Sequence, residues 1–198
     1  MTKYILAGGA DRKYPEYAAK LRSEIAKTIT KPPLVLSCLF AEPREVWEGK
    51  FADRQAWFAA TFGEGCITQM AFPDTFAEQI READIIYLHG GDDTLLTHYL
   101  EEFDDLATLF SDKIVIGSSA GADYLAKEYW TCDWRQVRTG SGLTDLNIIP
   151  HFESPEYGIS DPRGPINWAT AEAELREAVG SGQKVTLLRE GEFVVIET

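Results

Sequence analysis

The sequence predicts an α/β fold: a three-layer sandwich with a mostly parallel sheet, helices on both faces, and an antiparallel hairpin at the C-terminal edge. Three observations predict it. Short apolar runs alternate with amphipathic segments along all 198 residues, as in βαβ units. Several runs end in glycines, as buried strands entering tight turns do. The last run instead alternates apolar and polar residues about Glu190–Gly191, a hairpin signature.

Each element follows from local pattern. "KYILAGG" is a short first strand ending in glycines, and Tyr14, Tyr17, Leu21, Ile25 and Ile29 then share one helical face. "PLVLSCLF" is too short and too β-branched for a helix and reads as the second strand. Trp47, Phe51, Phe58 and Phe62 line the next helix, which Glu42 and Pro43 start. "CITQMAF" is a weaker third strand and "DTFAEQIREA" a helix beginning at Asp74. "DIIYLHGG" is another strand ending in glycines, with Leu95, Leu96, Tyr99, Leu100 and Phe103 in the helix after it. "KIVIGSS" is the next strand, and Ala120 to Tyr129 the helix that follows. "NIIPHF" is apolar again, "AEAELREAVG" is helical with a glycine stop, and Pro155 to Pro165 forms a long surface loop. No repeat, low-complexity tract or linker interrupts the chain, so one domain over residues 1–198 is expected.

Composition excludes several function classes. Nineteen Lys+Arg against 32 Asp+Glu give a formal charge of -13. That field repels phosphate backbones and anionic lipid, so nucleic acid and membrane surfaces are excluded as partners, and an acidic substrate would need a local basic pocket. Cys38, Cys66 and Cys132 are scattered, with no CxxC or Cys/His ligand spacing, which argues against a disulfide framework or structural zinc. The N-terminus reads as a strand rather than a signal peptide, and no apolar stretch approaches the ~20 residues that span a bilayer. A cytoplasmic protein is expected.

The segment "GSSAG", Gly117 to Gly121, follows a strand and opens a helix, the context required of a nucleophile elbow. The pattern centres on Ser119. A serine at so sharp a bend sits in strained backbone, and glycines two positions away relieve the crowding. Serine also commonly caps helices, so the pentapeptide alone leaves both roles open. His89-Gly90-Gly91 tips the balance: backbone free of Cβ can lie beside the elbow, with Gly90 against substrate and Gly91 and Ala120 offering N–H donors to an oxyanion. Of His89, His98 and His151, only His151 lies at a probable strand end after Ser119 in the chain, in the order of α/β hydrolytic sites. It is the expected base. For the acid that orients it, Asp133 is preferred over Glu128, Asp145 and Glu153, since it lies between the elbow helix and His151. Arg135, Arg138 and Arg163 are the basic side chains expected to pair with substrate carboxylates.

"YLHGGDDTLL", "IVIGSSAGADYLA" and "NIIPHF" occur in the order and spacing of the S51 serine peptidases, the family of dipeptidase E and the cyanophycinases, which residues 80 to 152 closely resemble. The resemblance implies a fold like that of class I glutamine amidotransferases, with serine in place of their cysteine. It also implies Ser119 as nucleophile, His151 as base and an acid near Asp133, with oxyanion donors at Gly91 and Ala120. No metal or cofactor is implied. Dipeptidase E carries a basic Gly-Glu-Thr-Arg-type segment after its histidine that "FESPEYGISDPRGPINWATAEAEL" lacks, so the resemblance does not carry Asp-X specificity. The expected function is a serine peptidase hydrolysing short peptides. An esterase or amidase on the same machinery, or a binding module that kept the fold, are the alternatives.

Overall fold

The computed structural model describes residues 1–198. Six strands form the main sheet: β1 (Lys3–Ala7), β2 (Leu34–Cys38), β3 (Ile67–Met70), β4 (Ile85–Leu88), β5 (Ile114–Ser118) and β10 (Phe193–Glu197), in the order β10-β1-β5-β4-β2-β3. All neighbours are parallel except β10, which runs antiparallel to β1. Alternation along each strand sends side chains to opposite faces. Tyr4, Leu6, Leu36, Ile86, Leu88 and Val115 pack against α3 (Phe76–Glu82), α4 (Asp93–Leu100), α5 (Leu106–Leu109) and α6 (Ala120–Leu125). Ile5, Ala7, Val35, Ile85, Tyr87, Ile114 and Ile116 face α1 (Pro15–Ile25) and α2 (Trp47–Phe62). Each Leu, Ile and Val among them contributes about 1.5–3 kcal/mol on burial, which makes both faces of the sheet obligatory core. No helix is long and apolar enough to cross a membrane.

A second sheet, of four strands, departs from the expected architecture. The helix expected from Ala120 to Tyr129 stops at Leu125, and β6 (Glu128–Thr131) begins three residues later. Its Tyr-Trp-Thr run favours strand, and it finds partners in β7 (Gln136–Thr139), antiparallel, and β8 (Asn147–Ile149), parallel. β9 (Val185–Leu187) then pairs parallel with β8. One face of this sheet is covered by α7 (Trp168–Val179), with Trp130, Ile149, Phe152, Ala171, Leu175 and Val185 in a separate core.

The C-terminal hairpin is also corrected. The turn exists, since Glu192 N–H donates to Arg189 O at 3.1 Å, but the two strands flanking it belong to different sheets. β1 and β8 each offered an unpaired edge, and the two runs extended those edges rather than each other. The antiparallel edge expected of the fold is therefore β10 on β1 alone, and residues 188–192 bridge the sheets.

Candidate active site

Five chain segments converge where the carboxyl ends of the main strands meet the small sheet. β5 and β4 are adjacent, so the turn after Ser118 lies beside His89-Gly90-Gly91. Ser119 has φ 53° and ψ -115°, a strained bend for a residue with a side chain. Its N–H donates to Ala7 O at 3.1 Å, and its side chain does not cap the helix it precedes. The glycines around it are steric necessities. A Cβ on Gly117 would lie 2.3 Å from Gly121 O, one on Gly121 2.1 Å from Leu88 O, and one on Gly90 2.9 Å from Ser119 Cβ. The N–H groups of Gly91 and Ala120 are left without a backbone acceptor.

His151 comes from the end of β8, two residues past Ile149. Its own φ is 53°, and its N–H donates to Gly8 O at 2.9 Å, which pins it to the end of β1. A Cβ on Gly9 would sit 2.3 Å from His151 Cε1, so the imidazole fits only because residue 9 is glycine. His151 Nε2 lies 2.9 Å from Ser119 Oγ. Nδ1 lies 3.0 Å from Glu190 Oε1. With a carboxylate as partner, Nδ1 carries the proton and Nε2 accepts from the serine hydroxyl.

The acid beside His151 is thus Glu190, not Asp133. Asp133 is exposed, and its carboxylate accepts a 2.6 Å hydrogen bond from the Tyr157 hydroxyl. Glu128 accepts from Thr139, Asp145 is exposed, and Glu153 pairs with Arg189. Glu190 sits in the bridge between the sheets, where Ser154 Oγ donates to Oε1 at 2.9 Å and Tyr14 donates to Oε2 at 3.3 Å. The hydrogen bond with His151 pulls its carboxyl down to about 2 against the effect of burial, so it is ionised at neutral pH. The sequence did mark Glu190–Gly191 as a turn at a strand end. That was the available signal: a carboxylate at a glycine-bounded strand end, 39 positions from the histidine it serves.

The expected arginines are elsewhere. Arg138 ties into Asp93 at 3.2 Å and Thr94 at 2.9 Å, and Asp93 is also bonded by Tyr129 and Trp134. Asp93 is buried, so Arg138 clamps the small sheet onto α4 rather than facing a ligand. Arg135 pairs with Asp161 at 3.4 Å, and Arg163 with the same carboxylate. The cleft over Ser119, about 710 Å³, is instead lined by Arg12, Lys13 and Arg54, with Asp11, Tyr87 and His89 at its floor. Arg54 makes no ion pair, and burial followed by the charge of Arg12 lowers its pKa. The cleft also takes in Gly90, Gly91, Asp133 and Tyr157. Sequence reasoning missed these cations because they lie on a short 3-10 turn after β1 and on α2, far from the elbow in the chain.

The floor is polar and tightly held. Burial pushes the Asp11 carboxyl up, opposed by hydrogen bonds from Ser118 and Tyr87. Burial, with Arg54, Arg12 and Lys50 nearby, pushes the His89 imidazole well below its ordinary value, so the ring is neutral. Its Nε2 lies 2.8 Å from Ser37 Oγ, in keeping with a structural role. His98 is exposed on α4. Cys132 donates to Pro150 O at 3.4 Å, and burial pushes its thiol far up, so it is no nucleophile.

The family model described as "Peptidase family S51" matches residues 64–198. The chain belongs to peptidase family S51. The match covers β3 through β10 and contains Ser119, His151 and Glu190 together. Two solved structures share the fold of this S51 chain. One is a peptidase from an acI-B1 Actinobacterium, 19% identical, with a TM-score of 0.65, covering 99% of this chain and 83% of that one. The other, from Listeria monocytogenes EGD-e and assigned as a peptidase E, is 14% identical with a TM-score of 0.63, covering 100% and 99%. A comparison with curated proteins returns no match.

Proposed function

We propose that this S51 chain is a serine peptidase that hydrolyses short peptides, dipeptides included, through an acyl-enzyme. The single observation that carries the reading is the line from Glu190 through His151 to Ser119, at 3.0 and 2.9 Å, ending on a serine in a strained bend. Ser119 Oγ attacks the scissile carbonyl while His151 Nε2 takes its proton. Glu190 accepts from Nδ1–H, which fixes the tautomer and stabilises the imidazolium as it forms. The free N–H groups of Gly91 and Ala120 donate to the oxyanion. His151 returns the proton to the leaving amine, and water then releases the acyl group by the same steps. Because the chain is so acidic, substrate carboxylates would meet attraction chiefly from Arg12, Lys13 and Arg54 in the cleft.

The test is labelling with a fluorophosphonate, alongside turnover of a panel of dipeptides. Wild-type protein should be labelled at Ser119 and should hydrolyse peptides, while Ser119→Ala does neither. Wild-type protein that is folded yet neither labelled nor active would overturn the reading.

A further inference from the structure

The loop after His151 carries an aromatic ring that the proposed reaction does not use. Tyr157 lies against the face of the His151 imidazole, with ring centroids 4.3 Å apart and planes 30° apart. Its hydroxyl donates to Asp133 at 2.6 Å. Its backbone N–H donates to Ser154 Oγ at 3.1 Å, and that same hydroxyl donates to Glu190 Oε1 at 2.9 Å. The contacts close a circuit. Glu190 holds the imidazole by its edge, Tyr157 covers its face, and Ser154 joins the two.

We propose that Tyr157 is a positioning residue whose ring, anchored by Asp133 at one end and Ser154 at the other, keeps His151 Nε2 aimed at Ser119. This rests on the serine peptidase reading and assigns a role to Asp133, acting through Tyr157 rather than on the imidazole itself. One hydrogen bond at Nδ1 fixes the direction of that nitrogen but leaves the ring free to tilt. A flat ring stacked on it removes the tilt, as the offset packing of aromatic faces favours. The loop holding Tyr157 is itself held by polar ties. Lys13 pairs with Glu156, Arg135 with Asp161, and Arg163 donates to Asp133 O at 2.6 Å. Tyr157 also packs against the apolar cluster of the small sheet, whereas Ile159 between these ties is 65% exposed.

Tyr157→Leu removes the ring, Tyr157→Phe keeps the ring but loses the Asp133 anchor, and Asp133→Asn weakens that anchor. The expected order is a kcat loss of about tenfold for Tyr157→Leu and about threefold for Tyr157→Phe and Asp133→Asn, with KM within about twofold, because misaimed catalytic groups cost rate rather than binding. Rates of fluorophosphonate labelling should follow the same order. A second readout needs no activity: the hydrogen-bonded Nδ1–H proton of His151 in the NMR spectrum should stay sharp in wild type and Tyr157→Phe and broaden in Tyr157→Leu. Should the Tyr157→Leu variant prove unstable by thermal melting, Tyr157→Phe and Asp133→Asn carry the comparison. Unchanged labelling with an unchanged imidazole proton overturns the proposal, as does a change confined to KM. If wild-type protein neither labels nor turns over, the peptidase reading falls, and the imidazole proton alone then decides whether Tyr157 positions the ring.

Discussion

The two sheets contribute to the site in different ways. The six-stranded sheet holds Ser119 by steric exclusion: Gly90, Gly117 and Gly121 let backbones approach so closely that the bend has nowhere else to go. The four-stranded sheet holds His151 and, through the bridge after β9, Glu190 by hydrogen bonds and a stacked ring. One half of the site is fixed by packing and the other by polar contacts at a junction. A packed bend fails by unfolding, whereas a hydrogen-bonded junction fails by losing aim.

The largest expected effect tests the junction. Glu190→Gln should lower kcat by about 10⁴-fold, the loss seen when a histidine loses its orienting acid, while circular dichroism shows the fold intact. If Glu190→Gln and Asp133→Asn cost the same, the carboxylate assignment is wrong. Next come two glycines of the six-stranded sheet, one abutting the imidazole and one at the serine bend. Gly9→Ala places a methyl against the imidazole, at a position with φ 97°, and should cost about 10²-fold in kcat while the fold survives. Gly121→Ala drives a methyl into Leu88 O, which is backbone and cannot move cheaply, so it should destabilise the protein by about 1–3 kcal/mol. Equal behaviour of the two would erase the distinction between halves.

Smaller effects sharpen it. Arg138→Ala leaves the buried Asp93 carboxylate without its cation and should lower the denaturation midpoint by the equivalent of about 1–3 kcal/mol, with KM unchanged. A KM effect would return Arg138 to the substrate. The last concerns pH. Glu190 has a folded pKa depressed to about 2 from 4.5, so its stabilisation is fully present above about pH 4.5 and is lost as pH falls towards 2. Urea melts across that window should show Glu190→Gln losing less stability than wild type, by on the order of 2 kcal/mol once solvent screening is allowed for.

Most of the main sheet could be read directly, because a buried strand ending in glycine and a helix with one apolar face are local patterns. The helix does not continue to Tyr129, because β6 takes its conformation from β7 and β8, partners that no window around Glu128–Thr131 contains. The hairpin failed for the same reason: its turn is local, but the choice between pairing with each other or with β1 and β8 is not. The arginines failed because a guanidinium near the site in sequence can be drawn to a buried carboxylate, as Arg138 is to Asp93.

By itself, the sequence determined the strained serine bend and the histidine at a strand end, since Gly-Ser-Ser-Ala-Gly and Pro-His-Phe each carry their geometry within a few residues. Only the tertiary structure decided which acid meets the imidazole and which cations line the cleft. A carboxylate acts within about 3 Å, and that distance depends on how two sheets meet rather than on any spacing along the chain.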